Sequence, residues 1–112
     1  MNRNLTIIIL LLLAGLCAAD SLNVRLVGHI DTPGSAEGVY VTSSFAYVAD
    51  EVGGLRIIDV STPSSPTEVG YFDTGDWAHG VYVSGSYAYV ADGSNGLRII
   101  DISTPASPSE IG

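Results

Sequence analysis

The sequence predicts an all-β chain made of β-propeller blades, and three observations carry that prediction. A unit of 42 residues occurs twice, each copy contains strand signals only, and no segment after the N-terminus has helical periodicity. Aligning 27–70 with 69–112 needs no gap, and 28 of the 44 pairs are identical. Four short antiparallel strands in a unit of this length make one blade.

The first 19 residues read separately. Arg3 and the amino terminus supply positive charge, Leu5 to Leu16 is almost wholly apolar, and Cys17-Ala18-Ala19 precedes Asp20. That layout is a secretory signal peptide over 1–19 with cleavage after Ala19. The run is too short for a membrane span, so the mature chain is expected to have none. The alternative is a lipoprotein anchored at Cys17, which Leu16 disfavours by its bulk.

The remainder, 22–112, holds the repeats, the first at about 27–70 and the second at about 69–112. Asn23 to Ile30 aligns with the end of a repeat, so it reads as a fourth strand placed ahead of the first blade, the strand that closes a propeller ring. Val39-Tyr-Val41 is a β-branched and aromatic strand, followed by a tight turn at Ser43-Ser44 (Gly85-Ser86 in the second copy). Phe45 to Ala49 is the next strand, bounded by Asp50 and Gly53-Gly54. Leu55 to Val60 follows, and the prolines at 63 and 66 make the next segment a connection, because neither can donate to a ladder. Glu68 to Phe72 is the fourth strand. The second copy repeats the order and stops at Gly112 inside its fourth strand. Two blades are fewer than a closed ring needs, so the chain is expected to be part of a larger propeller, as an N-terminal fragment of a longer protein. The competing reading is a complete two-blade chain that self-associates into a ring, because a blade with one uncovered apolar face favours association.

Composition excludes several partners. Twelve acids against four arginines and no lysine give a net charge of −8, which disfavours nucleic acid and anionic membrane surfaces. A single cysteine allows neither a disulfide framework within the chain nor a multi-thiolate metal site.

Candidate chemistry is confined to the loops at 31–37, 73–79, 50–54 and 92–96. Asp50, Glu51, Asp73, Asp76, Asp92 and Asn95 could offer oxygen ligands to Ca²⁺, and Trp77 with His79 could form a sugar-stacking platform or a general base. His79 and Trp77 break the repeat, standing opposite Glu37 and Ser35. Against the ligand reading, Asp50 and Asp92 suit Asx turns that Gly54 and Gly96 complete, and the loops lack an EF-hand's spaced acids. Arg56 and Arg98 recur, so they belong to the blade; Asp50 is the partner that spacing suggests for Arg56. Asp59 and Asp101 suit capping of the Ser-Thr-Pro turn. No Ser/His/Asp order or phosphate loop is present, and no catalytic residue, cofactor-binding residue or metal set is assigned.

The pattern Tyr-Val-Ala-Asp, a short loop, then Gly-Leu-Arg-Ile-Ile-Asp-(Val/Ile)-Ser-Thr-Pro-x-x-Pro resembles the LVIVD repeat. The resemblance covers about 27–112, departs from the name at Arg56 and Arg98, and implies a propeller in a secreted or surface protein of a bacterium or archaeon. It implies no single activity. The resulting expectation is an exported, non-catalytic module that binds protein or carbohydrate, or serves as a scaffold, at the cell exterior. The alternative is a ligand-binding, metal-binding or enzymatic propeller with its site around His79 and the acidic loops.

Overall fold

Alternation of Val, Tyr and Ile with small residues suits a pleated, two-faced strand, and Gly, Ser and Pro clusters stop each one. The computed structural model describes residues 4–12 and 22–112. Its strands are β1 (Asn4–Leu12), β2 (Leu22–Asp31), β3 (Gly38–Val41), β4 (Phe45–Ala49), β5 (Leu55–Asp59), β6 (Thr67–Phe72), β7 (Gly80–Ser84), β8 (Tyr87–Ala91), β9 (Leu97–Asp101) and β10 (Ser109–Glu110). Helix is confined, among the described residues, to one 3₁₀ turn at Gly93–Asn95, and no helix there is long and apolar enough to cross a membrane.

Two four-stranded antiparallel sheets result, β3-β4-β5-β6 and β7-β8-β9-β10. They are the two predicted blades. Their registers repeat: Tyr40 pairs with Tyr47 and Tyr47 with Ile57, as Tyr82 pairs with Tyr89 and Tyr89 with Ile99. In β6 the register slips by one residue between Ile57 and Ile58, so Val69 is the extra residue of a bulge.

β2 forms a two-stranded sheet with β1. Part of the expected leader is thus strand, while Cys17 and the expected cleavage site at Ala19 lie outside the described residues.

The blades stack face to face, each with a fixed front and back. Ala46, Val48 and Ile58 of the first blade form one buried row, packed against Ile30 of β2. Tyr47, Ala49, Leu55 and Ile57 on its other face pack against Ala88, Val90 and Ile100 of the second blade. Those three are the 42-residue equivalents of Ala46, Val48 and Ile58, so one face always looks back and the other forward. The second blade's forward face is open: Leu97 is 61% exposed where its counterpart Leu55 is fully buried.

A glycine notch fixes the spacing. A Cβ on Gly28 of β2 would overlap the Pro63 carbonyl oxygen and stand 3.1 Å from Cα of Ser64. A Cβ on Gly70 of β6 would overlap the Pro105 carbonyl oxygen and stand 3.2 Å from Cα of Ala106. β2 therefore sits on the first blade as the fourth strand of the first blade sits on the second. At the opposite edge the first strands approach each other, with the Tyr40 and Tyr82 rings edge to face at 4.9 Å. This is the inner edge of a propeller, where blades converge.

Candidate functional site

The acids repeated in both copies are spent on architecture. Asp50 is fully buried and accepts hydrogen bonds from Thr32 Oγ1 (2.6 Å) and the Gly34 amide (2.8 Å). Asp92, equally buried, accepts from Thr74 Oγ1 and from Asn95 Nδ2. The hairpins at 50–54 and 92–96 are closed by backbone bonds, such as Gly53 N to Asp50 O at 2.8 Å, to which the second adds the bond between the Asn95 and Asp92 side chains. Both carboxylates tie the loop before their blade to the loop between its second and third strands, beneath the loop face.

The expected pairing of Arg56 with Asp50 is replaced by another. Arg56 donates through Nε to Gly53 O (2.8 Å) and pairs through Nη1 with Glu68 (3.0 Å), its guanidinium lying 4.5 Å from the Tyr71 ring centroid. The bulge at Val69 is the reason. A regular ladder would put Glu68 opposite Asp59, on the other face, and the extra residue turns it to the Arg56 side. In the second copy Arg98 stands between Asp92 (3.7 Å) and Glu110 (3.5 Å). Asp59 and Asp101 cap as expected, each accepting from the amide and hydroxyl of Ser61 or Ser103. These bonds hold both carboxyls below the ordinary aspartate range.

Residues that break the repeat gather at the seam between blades. Glu37 and His79 are equivalent positions, each immediately before a first strand, and their amides make the same bond to Ala49 O (2.8 Å) and Ala91 O (2.9 Å). Because the first strands run side by side, the two side chains are brought next to each other. Glu51, from the loop between β4 and β5, completes the group. Its ligand oxygen, that of Glu37 and a ring nitrogen of His79 all lie within 4.8 Å of one another. Glu51 is pinned by two backbone bonds to Ala78, N to O at 2.9 Å and the reverse at 3.1 Å.

Of the residues singled out from sequence, the structure places Trp77 and His79 at this seam, their rings edge to face at 6.4 Å, with Trp77 53% exposed. Asp76 lies nearby but is turned to Ser94, accepting from its amide (2.8 Å) and hydroxyl (2.6 Å), which holds its carboxyl low. Asp50 and Asp92 are not part of the group. From sequence Glu51 reads only as one of several loop oxygens, and Glu37 is missed as a site residue; the signal for both is their disagreement with the other copy.

A model of the LVIVD repeat matches residues 33–74 and 75–112. The chain belongs to the LVIVD-repeat family. Each match takes in the loop that leads into a blade and all four strands of that blade, so the LVIVD unit coincides with one blade. Neither a curated protein nor a solved structure matches the chain. Within this LVIVD pair, Asp50, Asp59, Asp92 and Asp101 are parts of the repeat itself, whereas Glu51, Trp77 and His79 distinguish one copy from the other.

Proposed function

We propose that this LVIVD-repeat chain is an exported, non-catalytic propeller module that binds protein or carbohydrate at the cell exterior. One observation carries the reading: the repeated Asp50 and Asp92 are buried in bonds that hold the blade, while Glu37, Glu51, Trp77 and His79, which differ between the copies, are gathered on the loop face at the seam. An exposed Trp77 beside His79 has the flat apolar surface on which a sugar ring stacks. The leader layout of residues 1–19 supports export, with a mature start at Asp20. The open forward face of the second blade, with Leu97 exposed where Leu55 is buried, supports association with further blades, whether of the same protein or of a second copy.

Two measurements test this. Mass spectrometry of the protein secreted from an expressing cell should find Asp20 as the first residue; an intact Met1 or a lipidated Cys17 refutes release by a signal peptidase. On a glycan array, wild-type binding that disappears in Trp77→Ala with unchanged circular dichroism supports the carbohydrate branch, and equal signals in both refute it.

A further inference from the structure

We propose that Glu37, Glu51 and His79 form a binding site for one divalent first-row transition ion of the Zn²⁺ type, at the seam between the two blades. The proposal does not depend on what the module binds.

The three groups come from separate segments and two blades, yet their ligand atoms converge within 4.8 Å. Ligands that share one such ion at about 2.0–2.2 Å stand roughly 3–4 Å apart, so small side-chain rotations suffice. Among the described residues no side-chain hydrogen bond or ion pair engages Glu37, Glu51 or His79; the one ring contact is that of His79 with Trp77. Both blade arginines are committed elsewhere, Arg56 to Glu68 and Arg98 beside Asp92 and Glu110. Among the described residues no arginine pairs with these two neighbouring carboxylates, and a doubly charged ion would offset them in a chain of net charge −8.

The sequence independently marks the site. Glu51 has φ +48, the left-handed region, and it is the one non-glycine residue there among those described. Its equivalent in the second copy is Gly93, with φ +57. The backbone at this position asks for glycine, and a glutamate is kept against that preference. Strain of this kind persists where surrounding structure over-determines it, here through the paired bonds to Ala78, which sits between Trp77 and His79.

The donor set selects the metal. An imidazole with two carboxylates suits Zn²⁺ and its neighbours, with three protein ligands and a fourth position open to water. Ca²⁺ would require six to eight oxygens and makes no use of the imidazole.

The test is titration of the purified full chain, carrying Cys17→Ser so that no thiol competes, with zinc chloride and separately with calcium chloride. One Zn²⁺ per chain should bind, with a rise in melting temperature. His79→Ala and Glu51→Gly should each weaken binding by at least about tenfold, the scale reached even when a group supporting a ligand is lost. His29→Ala, at the other histidine, should bind as wild type does. Glu51→Gly installs the residue that the second copy carries, so its metal-free melting temperature should hold or rise, separating loss of the site from loss of the fold. Equal Zn²⁺ affinity in wild type and both site variants overturns the proposal, as does tighter binding of Ca²⁺ than of Zn²⁺.

Discussion

Replacing Gly70 by Ala should separate the blades. The added Cβ would overlap the Pro105 carbonyl oxygen and lie 3.0 Å from its carbon and 3.2 Å from Cα of Ala106. All three atoms are backbone, so no side chain can swing away. Normal contact requires strand β6 and the 105–106 turn to part by more than about 1 Å, and a gap of that size already forfeits a quarter to a half of the dispersion energy of close contacts. The contacts at stake are those of Leu55, Ile57, Val90 and Ile100, all fully buried. Overpacking typically costs 1–3 kcal/mol, and the rigid backbone on both sides puts this case near about 3 kcal/mol. For a domain of this size that lowers Tm by roughly 12–24 °C, read by calorimetry or circular dichroism. Gly80→Ala is the control, because its Cβ would meet nothing within 4 Å, and its stability should stay within about 0.5 kcal/mol of wild type. If Gly70→Ala melts within about 0.5 kcal/mol of wild type, or Gly80→Ala is as damaging, the notch does not set the blade spacing.

Asp50→Ala should cost about 2–3 kcal/mol in urea unfolding, because it strands the buried Gly34 amide and takes a bond from Thr32; an effect below 1 kcal/mol would contradict the buried tie. Acidification should destabilise the chain through Asp59, Asp76 and Asp101, whose carboxyls are held below their ordinary 3.8 by serine hydrogen bonds. A carboxyl lowered on folding stabilises above its unfolded value and loses that contribution as pH falls through the folded one, so the loss should set in below about pH 4 and be smaller in Asp59→Ala/Asp101→Ala. The same double variant matching wild type across pH melts would remove these caps from the account. Sedimentation of the mature chain should find assemblies of two or more copies; a soluble monomer with a cooperative melt would mean that the open face bearing Leu97 is tolerated in water.

The blades were legible because their signals are local. Strand runs, the Ser43-Ser44 turn and the proline connection each follow from a few adjacent residues, and all four strands of the first blade fall where the pattern put them. The partner of Arg56 was not legible, because a single-residue bulge at Val69 changes the face on which Glu68 lies, and nothing in Glu-Val-Gly announces it. The buried roles of Asp50 and Asp92 were hidden for a related reason: their partners, Thr32 and Thr74, lie 18 residues earlier in the preceding loops. At the seam, His79 was conspicuous as an exception to the repeat. Its neighbours were not, since equivalent positions such as Glu37 and His79 become adjacent only once two blades stand side by side around an axis. Glu51 was legible as one of several loop oxygens, and what singles it out is that it replaces a glycine where the turn needs one.

The notch at Gly28 and Gly70 also bears on how such a chain grows. In the LVIVD unit 33–74, Gly70 lies near the end and the Pro105 turn that fills its notch lies in the next unit, so such a unit carries both halves of a joint it does not make with itself. Duplicating the 42 residues therefore creates a new junction already complementary to the old ones, with no compensating change elsewhere. The direction of stacking is inherited at the same time, because at both junctions the glycine receives the proline turn of the blade that follows. Copy number can drift while the joint stays constant, and the parts free to diverge are those, like the seam around Glu51 and His79, that the joint leaves alone.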